Sequence, residues 1–153
     1  MSGACGDCTM CCRVFAIAQL QKSAGKWCQH CDIGKGCKVY DDRPAVCIDF
    51  ECLWLMSQTE GEPMPPEFRP DRCKVVFTGT ADPQIIAANT MPGMSNAWRN
   101  GIVRDLINHM VKGGFRIAAG VMASRTMTMI DKNGERTVEL SEPDQDGMQW
   151  GND

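Results

Sequence analysis

Apolar and polar positions divide this chain into two halves that follow different rules. From Cys73 onward the short runs "CKVVFTG" and "QIIAANT" carry the β-branched character of strands. "SNAWRNGIVRDLINHMVKGG" then puts Trp98, Ile102, Leu106 and Met110 at helical spacing, which predicts an amphipathic helix over Ser95 to Lys112 with Gly113 and Gly114 as its stop. "FRIAAGVMA", "TMTMID" and "ERTVEL" follow as three more strands, the last two joined by "DKNG", a sequence with hairpin chemistry. The order ββαβββ predicts a small sheet with one main helix packed on it.

Residues 1–56 are patterned otherwise. Val14, Phe15, Ile17 and Leu20 make one short apolar segment, and Gly, Asp and Lys interrupt most of the rest, as in "CDIGKGC". "RPAVCIDFECLWLM" reads as helical, because Val46, Phe50 and Trp54 recur every four residues and Pro44 suits a first turn. Cys47 and Cys52 are five apart, which on a straight helix separates them by about 140°. Either the helix bends or ends between them, or the two serve different ligand groups. "SQTEGEPMPPEFRPDR" carries four prolines and no apolar period, so residues 57–72 read as an extended surface connection. The expected organisation is α+β: an irregular cysteine-rich module over 1–56, the connection 57–72, a sheet-and-helix unit over 73–142 of the same compact domain, and a frayed tail at 143–153.

Composition changes that picture at one point, the cysteines. Nine of the ten fall in the first 52 residues: Cys5, Cys8, Cys11, Cys12, Cys28, Cys31, Cys37, Cys47 and Cys52, with Cys73 alone beyond. An irregular segment with few apolar residues cannot easily offset an ordering cost of about 1–2 kcal/mol per residue by burial. Structural zinc contributes about 10–16 kcal/mol in small metal-organised peptides, enough to organise such a module. No charged segment followed by an apolar run opens the chain, so a soluble, cytoplasmic protein with reduced thiols is expected rather than a disulfide framework. With 16 Lys and Arg against 19 Asp and Glu, both signs interspersed, no basic stripe suited to nucleic acid is present, and no run of about 18 apolar residues suits a membrane.

A Cys-x-x-Cys spacing lets one tight turn aim two sulfurs at one ion, and Cys5/Cys8, Cys8/Cys11 and Cys28/Cys31 have it. Adjacent side chains point apart, so Cys11 and Cys12 are expected to serve two neighbouring centres. "CGDCTMCC" followed by "GCKVYDDRPAVCIDFECLWL" resembles the CxxCxxCC cysteine-cluster family, also called YkgJ-like, over residues 5 to about 56. The resemblance implies a zinc- or iron-chelating domain whose characteristic cysteines fall on Cys5, Cys8, Cys11, Cys12, Cys28, Cys37, Cys47 and Cys52. Cys31 is an addition to that pattern, and Cys73 lies outside it. The resemblance names no reaction.

Zinc is the leading metal, since eight thiolates divide into two closed four-sulfur sites with a structural or interaction role. The first alternative is an iron–sulfur protein in redox or accessory chemistry, although Cys12 follows the "CxxCxxC" at once and the ferredoxin spacing is not completed. The second is a metal chaperone or store; copper(I) would favour Cys and Met, but Met110, Met122, Met127 and Met129 sit at periodic positions where core packing explains them. His30 could replace a thiolate, or be a solvent-facing turn residue. Lys35, Lys38 and above all Arg43 are candidates to neutralise charge near Cys37. Catalysis is not expected: the chain has only His30 and His109, the latter on the polar helix face, and Asp41 and Asp42 suit a helix start. Metal ions are the expected partners, with no protein partner named.

Overall fold

The computed structural model describes residues 6–122 and 124–139; Cys5 and the tail 143–153 lie outside them. Its larger sheet has five strands in sequence order: β3 (Val76–Gly79), β4 (Ile85–Thr90), β5 (Arg116–Val121), β6 (Thr126–Asp131) and β7 (Gly134–Glu139). Every pair is antiparallel except β4 with β5, which run parallel because α5 (Gly101–Lys112) carries the chain across between them. The fold is α+β, with strands and helix in the order ββαβββ expected from the sequence.

Register explains the core. Phe77 pairs with Ala88 and Ala88 with Ala119, while Ile86 pairs with Ile117 and Ile117 with Ile130. These side chains share one face and bury against Val103 and Ile107 of α5 and against Trp98. Val76 belongs to the opposite face by alternation, and packs with Cys8, Met10, Val14, Cys52 and Met91. The cysteine-rich half therefore rests on the sheet through the start of β3. Beside it Asn89, also buried, donates from Nδ2 to the Val76 carbonyl at 3.0 Å and to Thr78 Oγ1 at 3.1 Å.

Three expectations are corrected. The helix begins at Gly101 rather than Ser95, because Gly101 takes φ +66°, outside the helical region, and residues 95–100 form turns. Trp98 still reaches the core from before the helix, but Ile102 is 46% exposed and the buried positions are Val103 and Ile107. The stop is as read: Gly114 takes φ +99°, and the Phe115 amide returns to the Met110 carbonyl at 3.1 Å. Second, "RPAVCIDFECLWLM" forms two helices, α2 (Ala45–Asp49) and α3 (Leu53–Thr59), with extended backbone at Phe50 and Cys52. Third, residues 57–72 are not one extended stretch. α3 enters them, Pro66–Phe68 makes a helical turn, and α4 (Pro70–Cys73) leads into β3, with Pro66 and Pro70 at first positions where a missing N–H costs nothing.

In the cysteine-rich half, α1 (Cys11–Val14), two short helical turns at Ala18–Leu20 and Tyr40–Asp42, and a two-stranded hairpin, β1 (Cys31–Asp32) with β2 (Gly36–Cys37), precede α2. That hairpin was not visible as a hydrophobic alternation, because its strands are two residues long. Gly25 closes the turn after α1: its amide donates to the Arg13 carbonyl at 2.8 Å, its φ is +79°, and a Cβ there would stand 2.9 Å from Pro92 Cγ. Gly25→Ala should cost about 1–2 kcal/mol from the left-handed backbone alone. Urea unfolding checks this, and an unchanged midpoint would mean that the turn relaxes without loss.

Candidate metal centre

The structure sorts the described cysteines into two groups. Cys12, from α1, meets Cys28 and Cys31 from the following turn and Cys47 from α2 around Ile17, Leu20 and Trp27. Backbone bonds build the approach: the Cys28 amide donates to the Cys12 carbonyl at 3.0 Å, and the Cys31 amide to the Cys28 carbonyl at 3.1 Å. Cys37 pairs directly across the hairpin from Cys31 and is near enough to Cys47 to oppose its ionisation. Against the expectation that adjacent side chains point apart, Cys11 shares a side-chain hydrogen bond with Cys12, so the pair lies on one side of the first group rather than dividing between two. Four separate segments thus deliver sulfurs to one place.

Cys8 and Cys52 lie instead in the cluster with Met10, Val14, Val76 and Met91. The break between α2 and α3 accounts for the split, since it turns Cys52 away from Cys47. Of the two options raised by the five-residue spacing, the first holds, since the helix ends between them, and the two thiols lie in different buried clusters. Cys11, Cys12, Cys28, Cys31, Cys37, Cys47, Cys52 and Cys73 have no disulfide partner. Cys5 cannot be assigned because it lies outside the described residues.

Electrostatics in the first group resist ionisation. The hydrogen bond with Cys11, and then burial, push the Cys12 thiol far up. Burial, followed by the neighbouring Cys12, pushes the Cys31 thiol up to about 12. Burial raises Cys47 as well, with Cys12, Cys28 and Cys37 adding to it and Arg43 opposing. Sulfurs so close cannot all carry charge without a cation, the condition that a bound metal satisfies.

Two residues missed by the sequence reading serve this group. Lys22 Nζ donates to the Arg13 carbonyl at 3.0 Å and to the Phe15 carbonyl, which half-buries its ammonium near Cys28, Cys12, Cys11 and Cys47. No motif marks it; only the return of the chain from Ile17 to Lys22 brings it there. Thr9, 5% exposed, accepts from the Gly34 amide at 3.1 Å and hydrogen-bonds to Cys31, tying the hairpin tip to the first cysteine run. Among the expected cations, Arg43 lies over the Tyr40 ring at 3.6 Å and favours the Cys47 thiolate, whereas Lys35 and Lys38 are exposed. His30 sits in the turn before β1 with its ring beside the Gln29 amide. His109 is exposed on α5.

Asp7 ties the first cysteine run to α4. Arg69 pairs with Asp7 and also with Asp71 at 2.8 Å. The hydrogen bond from Arg69, and then its charge, hold the Asp7 carboxyl below its ordinary 3.8. The folded carboxylate therefore binds its proton less tightly than the unfolded one, so the pair's contribution is present above pH 3.8 and is lost as pH falls through the lower folded value. An NMR titration of the Asp7 carboxyl should give a midpoint below 3.8, and Arg69→Gln should return it toward 3.8. A normal midpoint in the unmutated protein would show that the pair does not form in solution.

Among the described residues, no group of three or more His, Cys, Asp or Glu side chains is arranged to hold a metal ion. The donor chemistry nevertheless suits a soft or borderline metal, and among the buried donors without an acceptor are Arg43 Nε, beside Cys47, and Trp54 Nε1, packed on the cluster of Cys8 and Cys52. An orphaned N–H costs about 1–3 kcal/mol when buried, and a metal-bound thiolate is the kind of acceptor that would satisfy it. Comparison with protein-family models, curated proteins and solved structures finds no match. No helix among the described residues is long and apolar enough to cross a membrane.

Proposed function

We propose that this chain is a metal-binding protein that holds zinc, two ions per chain, through clustered cysteine thiolates, in a structural or interaction role. The observation that supports the reading is the gathering of Cys12, Cys28, Cys31, Cys37 and Cys47 from four segments far apart in sequence. The surrounding half has little apolar material of its own to organise it, and a metal bound by the gathered thiols would supply that organisation. Zinc replaces the thiol protons, and four thiolates leave a centre with two net negative charges. Lys22 and Arg43 are the cations placed to offset that charge. The likeness of "CGDCTMCC" and "RPAVC" to the CxxCxxCC cysteine-cluster family points the same way.

The test is elemental analysis with labile sulfide on the full chain, purified without oxygen from cells grown in ordinary medium. Zinc without sulfide is expected. Iron with matching sulfide would replace zinc by a cluster and make electron transfer or accessory redox chemistry the function. Protein that carries neither, and takes up neither when offered under reducing conditions, would end the metal-binding reading.

A further inference from the structure

Two of the gathered thiols face each other across a backbone ladder. β1 and β2 run antiparallel with Cys31 directly opposite Cys37. The Lys38 amide donates to the His30 carbonyl at 2.8 Å, so the ladder bond falls on the residues flanking the two cysteines and leaves Cys31 and Cys37 at the close, non-hydrogen-bonded position. There, opposed Cα atoms stand about 4.5 Å apart and both side chains leave the same face. A disulfide spans Cα atoms about 4.4–6.8 Å apart, so this pair can be bridged without moving the backbone. Both thiols are free.

The surroundings hold the pair in place and grade its access. The Lys35 amide returns to the Asp32 carbonyl at 2.9 Å, and the Gly34 amide donates to Thr9 Oγ1 at 3.1 Å, which fixes the hairpin tip against the first cysteine run. Cys31 is buried beside Ile17 and Cys28, whereas Cys37 is half-buried. The sulfur of Cys28 is turned to another use, accepting the His30 amide at 3.5 Å. A two-stranded ladder of this length is marginal by itself, so a covalent tie across it would change the order of the hairpin.

We propose that Cys31 and Cys37 form a reversible cross-strand disulfide on reaction with hydrogen peroxide, and that this bond controls the first thiol group. Cys37, the more accessible, reacts first. Its sulfur, having given up its proton, takes one peroxide oxygen as the O–O bond breaks, leaving a sulfenic acid and one water. Cys31 then attacks that sulfur, the S–O bond breaks, and the departing hydroxide takes the Cys31 proton as a second water. Two thiols lose two electrons and two hydrogens, and one peroxide becomes two waters. Two equivalents of a small thiol reverse the reaction by exchange and become a disulfide themselves. The bond needs no metal. Its consequence for the centre around Cys12 rests on the metal-binding reading: bridging withdraws Cys31 and Cys37, leaves Cys12, Cys28 and Cys47, and releases the ion. Cys31, the cysteine added to the family pattern, is on this account the partner that makes Cys37 reversibly oxidisable.

Peptide mapping tests it. Reduced, metal-free full chain is treated with one equivalent of hydrogen peroxide, remaining thiols are alkylated, and trypsin cleaves after Lys35 to leave the two cysteines on separate peptides. The dominant product should be those peptides linked, two hydrogens lighter than the free pair and separated by reductant. In concentrated urea, where the register is lost, a mixture of pairings should replace it. Cys31→Ser should stop the reaction at a Cys37 sulfenic acid that dimedone traps. In the wild type, Cys31 linked instead to Cys12 or Cys28, or Cys31 and Cys37 both alkylated after peroxide, would overturn the disulfide however the variant folds. Zinc-loaded protein should form the same bond and lose zinc to a chromogenic chelator. Bond formation with zinc retained would overturn the control of the metal centre alone. A chain that never takes up zinc would overturn the metal-binding reading and leave the disulfide standing.

Discussion

Stripping metal from the native protein should open the cysteine-rich half and leave the sheet closed. Residues 8–56 hold small clusters in which thiols stand where a larger domain would place aliphatic side chains, as with Cys28 and Cys31 beside Ile17. Structural zinc contributes about 10–16 kcal/mol in metal-organised peptides, several times what burying such a cluster provides. With a chelator under reducing conditions, proteolytic cleavage and amide exchange should rise sharply between Cys8 and Met56, while β4 to β7 and α5 keep their protection. The reason for the asymmetry is that the sheet has its own core, from Phe77 to Ile130, whose buried residues include no cysteine, with Cys73 packed only at its margin. A metal-free protein with unchanged proteolytic resistance would remove the structural role from the proposal.

The complementary expectation concerns Trp98, the largest fully buried side chain among the described residues. It fills the space between the sheet and α5, and the guanidinium carbons of Arg99 and Arg104 lie 4.3 Å and 5.7 Å from its ring. Arg104 in turn pairs with Glu135 of β7 at 2.7 Å, so the ring lies beneath a tie between helix and edge strand. Trp98→Ala should cost about 3–5 kcal/mol, as large-to-small core substitutions of aromatic residues do. Arg104→Gln should cost far less, because that pair is partly exposed. Urea unfolding of metal-loaded protein measures both; a loss near 1 kcal/mol for Trp98→Ala would mean that the core collapses around the gap. Chelation and Trp98→Ala thus attack the two halves separately. Their combined effect reports how strongly the halves are coupled through Val76, which packs against Cys8 and Cys52.

Which thiols lie near one another was legible in the sequence where it depends on local spacing, and not where it depends on return of the chain. Cys28 and Cys31 lie together because three residues span one turn. The split between Cys47 and Cys52 was legible as a question from their five-residue spacing, but its answer required the extended backbone at Phe50 and Cys52. Lys22 left no trace at all: its usefulness comes from two carbonyls of the preceding segment that half-bury it beside the sulfurs. Residues 57–72 looked like a passive connection because four prolines break any period, yet Pro66 and Pro70 open helical turns, and Arg69 between them reaches Asp7.

By itself the sequence determined the strands and helix of the second half, their order, the stop at Gly113 and Gly114, and the presence of a thiol-rich module. Each of these follows from periodicity or turn chemistry within a few residues, where backbone geometry leaves few choices. Tertiary structure alone decided which thiols of separate segments share a neighbourhood, and it did so through contacts between residues tens of positions apart. The start of β3 lies against Cys8 and Cys52, and α4 is held to Asp7 by a pair 62 residues apart in sequence. Such contacts are set by burial of the sheet's second face and by one ion pair, and neither leaves a pattern at the spacing of any single element.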